Sequence, residues 1–236
     1  MAENIIILGS SHIAKQSLME VEETILKDKP DIVALELDRK RLIGLVSGQK
    51  HEIRLGQIKA WGIKGFLFNL IGGWAERKLG ELVGVKPGSE MIVAFNAAKK
   101  IGAKIMLIDQ DIEITMKRFS KAFGAKERWH LFRDIFLGTL FRKRELKKLG
   151  IKELDLSKVP PKKLIKKLIS RVKEDYPGVY SVLIEERNVY MAEQLANIEA
   201  ANPGKKILAV VGAGHEDGIK ELLGKKNRIT FSYSIG

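Results

Sequence analysis

The sequence predicts an α/β fold: one domain over residues 1–236, with a mainly parallel sheet, helices on both faces and a large helical insertion. Three observations predict it. Four short apolar runs, Ile5–Leu8, Ile32–Leu37, Ile105–Ile108 and Ile207–Val211, are rich in β-branched residues, as buried parallel strands are. Helical patterns separate the runs, the alternation that β-α-β units require. A stretch at about 112–202, ahead of the last run, reads as almost all helix.

The elements follow in order. Ser17 to Lys27 makes the first helix, with Leu18, Val21, Ile25 and Leu26 on one side, and Lys29-Pro30-Asp31 ends it. The stretch Trp61 to Trp74 is unusually apolar but too short and glycine-rich to span a bilayer. It reads as a buried helix or a dimer contact ahead of an interfacial membrane helix. Pro87-Gly88-Ser89-Glu90 opens a helix through Met91, Val93, Ala94, Ala97 and Ala98, and Gly102 stops it before the third strand. Pro160-Pro161 and Pro177-Gly178 punctuate the insertion, whose last helix runs from about Gly178 to Ala200 with Leu183, Val189, Met191, Ala192, Leu195 and Ile198. An amphipathic strand from Arg228 to Tyr233 is expected at or near a sheet edge.

Composition narrows the chemistry. A chain of 236 residues that is 45% hydrophobic buries a sizeable core without help from disulfides. It has no cysteine, which excludes thiolate metal sites, disulfide frameworks and cysteine nucleophiles and is compatible with a cytosolic chain. No secretory signal is visible, and no run of about 18 apolar residues would span a bilayer. The expectation is a soluble protein in the cytoplasm or at the cytoplasmic face of the membrane. The net charge is +13, and residues 112–175 hold 19 Lys and Arg against 8 Asp and Glu, so most of the surplus sits in the insertion. Such a field suits a membrane surface or nucleic acid, or is simply a solvated lysine-rich face. Nucleic acid is the weaker partner, because Phe119, Phe123, Trp129, Phe132, Phe136 and Phe141 are spaced for helix packing rather than base stacking.

Two short units carry the strongest chemical signal. Gly9-Ser10-Ser11-His12 and Gly212-Ala213-Gly214-His215 share one context: an apolar strand, a tight glycine turn, a histidine, then a helix. Crevices at the carboxyl ends of strands are where open α/β sheets bind ligands, so His12 and His215 can converge if their strands are neighbours. The other two strands end on acids. Ile32–Leu37 delivers Glu36, followed by Asp38 and Arg39, and Ile105–Ile108 delivers Asp109. A carboxylate inside an apolar run is costly to bury unpaired, so Glu36 meets an arginine, a metal or a histidine. A structural salt bridge to an arginine such as Arg187 is one such partner. Two imidazoles and a carboxylate suit Zn, Mn, Fe or Co, whose bound water becomes a nucleophile. Without a metal, histidine and glutamate can still act as a general acid and base. Gly212-x-Gly214-x-x-x-Gly218 is a weak dinucleotide signal, since no ribose-binding acid follows at the required distance. His51 and His130 read as peripheral.

Taken together, these segments resemble the TraB/PrgY family. The resemblance rests on G-S-S-H, P-D-I-V-A-L-E-L-D-R, V-K-P-G-S-E-M, L-I-D-Q-D-I-x-x-T, E-E-R-N-x-Y-M-A and V-V-G-A-G-H-x-x-G-I, in order from Gly9 to Ile219. That family is grouped with the Tiki proteins and, more distantly, with erythromycin-esterase-like and ChaN-like proteins. The resemblance implies a site built from His12, His215 and Glu36, acting as catalytic residues and as ligands of a divalent ion (Mn, Co or Zn). Arg187 and Asp109 are implied as supporting residues that bind substrate. It also implies a metal-dependent hydrolase, a peptidase on a peptide substrate, with a non-catalytic peptide- or haem-sequestering protein as the alternative. Many PrgY-like members carry a membrane-spanning C-terminal region, which the 236 residues lack. Either a soluble variant or a trimmed chain whose basic middle suits a cytoplasmic membrane surface is expected, and the dimer contact read at Trp61–Trp74 makes a homodimer a further expectation.

Overall fold

The computed structural model describes residues 4–10, 15–47, 62, 88–127, 129–130, 133 and 162–233. Several expectations fall outside these residues: His12, His51, all but Gly62 of Trp61–Trp74, the aromatics Phe132, Phe136 and Phe141, and Pro160-Pro161.

The four predicted strands form as β1 (Ile5–Ser10), β2 (Ile32–Leu35), β3 (Lys104–Leu107) and β4 (Ile207–Gly212). They make one sheet in the order β1-β4-β2-β3, parallel throughout. The register is level: Leu8 pairs with Val210, Val210 with Leu35, and Leu35 with Leu107. Beyond that row, Ser10 still pairs with Gly212.

Alternation along each strand feeds two cores. Ile32, Ala34, Ile207, Ala209 and Val211 face one side, packed by Met191, Leu195, Ile198, Ile219 and Leu223. Val33, Leu35, Leu208 and Val210 face the other, packed by Val21, Ile25, Met91, Ala94, Ala97 and Ala98. All six residues of β4 are buried, as a central strand covered on both faces must be. Each fully buried Val, Leu or Ile there contributes about 1.5–3 kcal/mol.

The helices occupy the two faces in a fixed pattern. α1 (Lys15–Asp28), α2 (Arg39–Ser47) and α3 (Ser89–Lys100) precede the insertion. The insertion contributes α4 (Ile112–Ala122), α5 (Lys162–Asp175), a single turn α6 (Pro177–Tyr180), a π-helical turn Ser181–Glu185, and α7 (Glu186–Ala201). α8 (Glu216–Tyr233) follows β4. The connections β1 to β2 and β2 to β3 step one way with α1 and α3 on one face. The connection β3 to β4 steps back with α7 on the opposite face, so reversing both direction and face keeps the same crossover hand.

One expectation is corrected. Arg228–Tyr233 is not an edge strand; it is the end of α8. The segment alternates apolar and polar residues, but a helix already nucleated at Glu216 gains one hydrogen bond per added residue, and no proline interrupts residues 216–233. Among the described residues, no helix is long and apolar enough to cross a membrane.

Candidate functional site

β4 lies between β1 and β2, and its helix leaves toward the face opposite to α1 and α3. Neighbouring strands whose connections depart to opposite faces leave a crevice beyond their carboxyl ends. Glu36, Asp109, the Gly212–His215 turn and Arg187 meet there.

Arg187, one residue into α7, is the hub. Its Nε donates to Asp109 Oδ1 and its Nη2 to Asp109 Oδ2, both at 2.9 Å. Nη2 also donates to Glu36 Oε1. Nη1 donates to the Leu183 carbonyl at 3.3 Å and lies 3.2 Å from His215 Nε2. A guanidinium has five N–H donors, and these contacts use all five. Burial alone would push the Arg187 pKa down; the carboxylates of Glu36 and Asp109 more than reverse this and hold it above the ordinary arginine value. Arg187 is therefore a fixed cation at any pH where the protein folds.

The two carboxylates are fixed in turn. Asp109 also accepts from Gln110 N at 2.8 Å and from Arg41 Nη1 at 3.2 Å. Glu36 Oε2 accepts the backbone N–H of Gly212 at 2.5 Å, which joins the end of β2 to the end of β4. Both side chains are almost fully buried, at 4% and 3% exposure for Glu36 and Asp109. Unpaired, either would be expensive to hold there.

His215 closes the network. Its Nδ1 lies 2.7 Å from Asn188 Oδ1, and its Nε2 faces Arg187 Nη1 and, at 3.5 Å, Glu36 Oε1. Arginine cannot accept a hydrogen bond, so Nε2 offers its lone pair and the proton resides on Nδ1, donated to Asn188. Gly218 makes room for this arrangement: a Cβ there would overlap Asn188 Nδ2 and stand 3.1 Å from its Cγ. Gly9 plays the matching part on β1, where a Cβ would overlap Glu216 Oε2 and stand 3.2 Å from Ala213 Cα.

Four of the five residues proposed from sequence can be placed. Glu36, Asp109, Arg187 and His215 come together. His12 lies outside the described residues, although the neighbouring pairing of β1 and β4 meets the condition set for its convergence with His215. Glu36 meets two of the partners left open for it, Arg187 and, at 3.5 Å, His215. His130 is peripheral to this cluster, with Nδ1 3.0 Å from the Asp175 carbonyl.

Sequence reasoning missed Asn188 and Arg41. Asn188 directly follows Arg187, and a buried amide on a helix face is the one available signal. Arg41 sits in the first turn of α2, whose N-terminus Asp38 caps by accepting Lys40 N at 2.7 Å and Arg41 N at 2.9 Å. A cleft of about 360 Å³ lies behind Asn188, lined by Ile169, Tyr180, Ile184, Ala213 and Gly214. It shares the 212–215 turn with the site, but neither Glu36 nor His215 lines it.

His215 Nε2 and Glu36 Oε1 are donors of the kinds that a divalent ion takes, and both face the Arg187 guanidinium in this structure. Two ligands on a tetrahedral ion at about 2.0–2.2 Å stand roughly 3.3–3.6 Å apart. His215 Nε2 and Glu36 Oε1 are separated by 3.5 Å. Metal-binding histidines commonly have the second ring nitrogen tied to a carbonyl or carboxylate, as Asn188 ties Nδ1 here. No group of three such donors occurs among the described residues.

The fold and site define a class: a parallel α/β domain whose strand ends surround a buried arginine bridging two carboxylates and a histidine. The chain belongs to the TraB/PrgY/gumN family, whose profile it matches over residues 2–229. It is 35% identical over 224 residues to Uncharacterized protein MJ1365 of Methanocaldococcus jannaschii, covering 94% of this chain and 54% of that protein. It is 25% identical over 239 residues to TraB domain-containing protein of Homo sapiens, covering 91% of this chain and 61% of that protein. The Mus musculus protein of the same name is 24% identical over 239 residues, with the same two coverages. The chain thus spans between half and two thirds of these relatives' length.

Proposed function

We propose that the chain is a metal-assisted hydrolase acting on peptides. The observation that carries this reading is the convergence of His215 Nε2 and Glu36 Oε1 at 3.5 Å, with His215 Nδ1 held by Asn188. His215 and Glu36 would hold the ion, with His12 as the third ligand that the sequence offers. Such an ion lowers the pKa of bound water and polarises a carbonyl. The chain's own residues supply orientation. Asn188 keeps the proton on Nδ1 so that Nε2 presents its lone pair. Arg187 and the Gly212 N–H fix the two oxygens of Glu36. Asp109 fixes Arg187. The peptide as substrate follows from the resemblance read in the sequence.

A second reading is a non-catalytic site that sequesters a peptide. One observation favours it: the Nε2 lone pair already faces Arg187 Nη1 at 3.2 Å, so the guanidinium must turn aside before His215 ligates anything. One experiment separates the two. Metal content and peptide hydrolysis are measured on the purified chain and on a His12→Ala/His215→Ala double variant, with and without added Mn, Co or Zn. The hydrolase reading expects metal and turnover in the wild type only. Equal, negligible metal in both proteins, with saturable peptide binding and no cleaved product, leaves the second.

A further inference from the structure

We propose that Arg41 anchors the carboxylate of the substrate, and that the substrate class is peptides presenting a free C-terminal carboxylate. This rests on the hydrolase reading for the substrate being a peptide, but it concerns a residue outside the His215–Glu36 centre.

The argument begins with donor accounting. A substrate carboxylate bound at the ends of β2 and β4 would need charged N–H groups to receive it, and Arg187 has none to offer: Asp109, Glu36, Leu183 and His215 take all five. Arg41 differs. Its Nη1 reaches Asp109 Oδ2 at 3.2 Å, and that is the only polar contact its side chain makes with the described residues. One N–H of five is used, which leaves enough donors for a bidentate carboxylate.

Its placement suits the task. Arg41 and Arg187 share Asp109 Oδ2, so the two guanidinium groups flank one carboxylate oxygen. The Arg187 side chain is 15% exposed and that of Arg41 is 35% exposed, so the first faces inward and the second opens to solvent. Asp38 pins the backbone under Arg41 through its contact with Arg41 N at 2.9 Å. One N–H of the guanidinium is held by a buried acid, which lowers the entropic cost of ordering the side chain around a bound anion. Lys40, beside it, is committed to Asp111 at 3.1 Å and Glu113 at 2.7 Å.

The test uses three peptides of one apolar sequence: one with a free C-terminus, one amidated, and one amidated with a glutamate side chain. Affinity is measured by calorimetry and turnover by product analysis, with wild type, Arg41→Gln and Arg41→Lys. The wild type is expected to favour the free C-terminus over the amide by roughly tenfold or more. Arg41→Gln is expected to bring that ratio toward one, and Arg41→Lys to retain part of it. Preference for the glutamate peptide over the free C-terminus would overturn the assignment to the terminal carboxylate. A wild type that does not distinguish the peptides, or binds none, would overturn the proposal. So would an Arg41→Gln protein that weakens every peptide equally with the ratio preserved, since that is the signature of a structural role. Selective binding without cleavage would sink the hydrolase reading and leave Arg41 standing. Cleavage without discrimination would do the reverse.

Discussion

Arg187 meets Asp109 in a two-pronged pair, Nε to Oδ1 and Nη2 to Oδ2, both at 2.9 Å, while Nη2 also reaches Glu36. One cation therefore neutralises two buried acids delivered by two different strands. Arg187→Ala is expected to destabilise the fold by about 3–5 kcal/mol, because it strands both carboxylates. Arg187→Lys should recover only part of this, since an ammonium cannot reproduce the fork. Urea denaturation measures it, and a loss below about 1 kcal/mol for Arg187→Ala would show that the pair is not the anchor described.

The Asn188–His215 contact predicts a tautomer. Nitrogen-15 NMR should find His215 protonated on Nδ1 and bare at Nε2 at neutral pH. Asn188→Ala should abolish that preference, and on the hydrolase reading lower metal affinity roughly 10–100-fold. Asn188→Asp keeps an acceptor for Nδ1 and should keep the tautomer. A wild-type His215 protonated on Nε2 alone would contradict the geometry.

Gly218→Ala tests the space beside Asn188. A Cβ there overlaps the amide, so the substitution should destabilise by about 1–3 kcal/mol. In an Asn188→Ala background the loss should shrink by more than half, because the obstructing atoms are gone. Equal losses in the two backgrounds would place the strain elsewhere.

Asp31 gives a pH dependence of known sign. Hydrogen bonds from Lys205 Nζ and from the Lys206 N–H, both at 2.9 Å, hold its carboxyl below the ordinary aspartate value and join the entries to β2 and β4. A folded pKa below the unfolded one means that the contribution is present above the ordinary value and is lost as the pH falls through the lowered one. Carbon-13 titration should find the Asp31 midpoint below the usual carboxyl range near 3.9. Asp31→Asn should flatten the pH dependence of stability below about pH 4. An Asp31 midpoint at or above the ordinary value would refute it.

Much of this is legible in the sequence. Short β-branched runs mark strands buried on both faces, and all four appear where the apolar runs lie. Glu36 inside Val33-Ala34-Leu35-Glu36-Leu37 announced a partner by its desolvation penalty alone. What sequence could not supply was strand order, because nothing local says that β4 enters between β1 and β2. Arg187 fits a supporting role by pattern, yet the exhaustion of its donors is a three-dimensional fact. Asn188 and Arg41 escaped for a similar reason: each earns significance only from what it touches across about 27 and 68 positions of chain. The misread Arg228–Tyr233 shows the limit of short-range alternation, which a preceding helix overrides.

The placement of β4 has a consequence for biosynthesis. β1 and β2 are among the first elements to leave the ribosome, but they never pair with each other; the gap between them waits for residues 207–212. Until then both strands carry an open, apolar edge, and the crevice lacks its Gly212–His215 turn. The nascent chain is therefore most exposed to misassociation over the whole time that the insertion is being translated, and the site forms in the same event that closes the sheet.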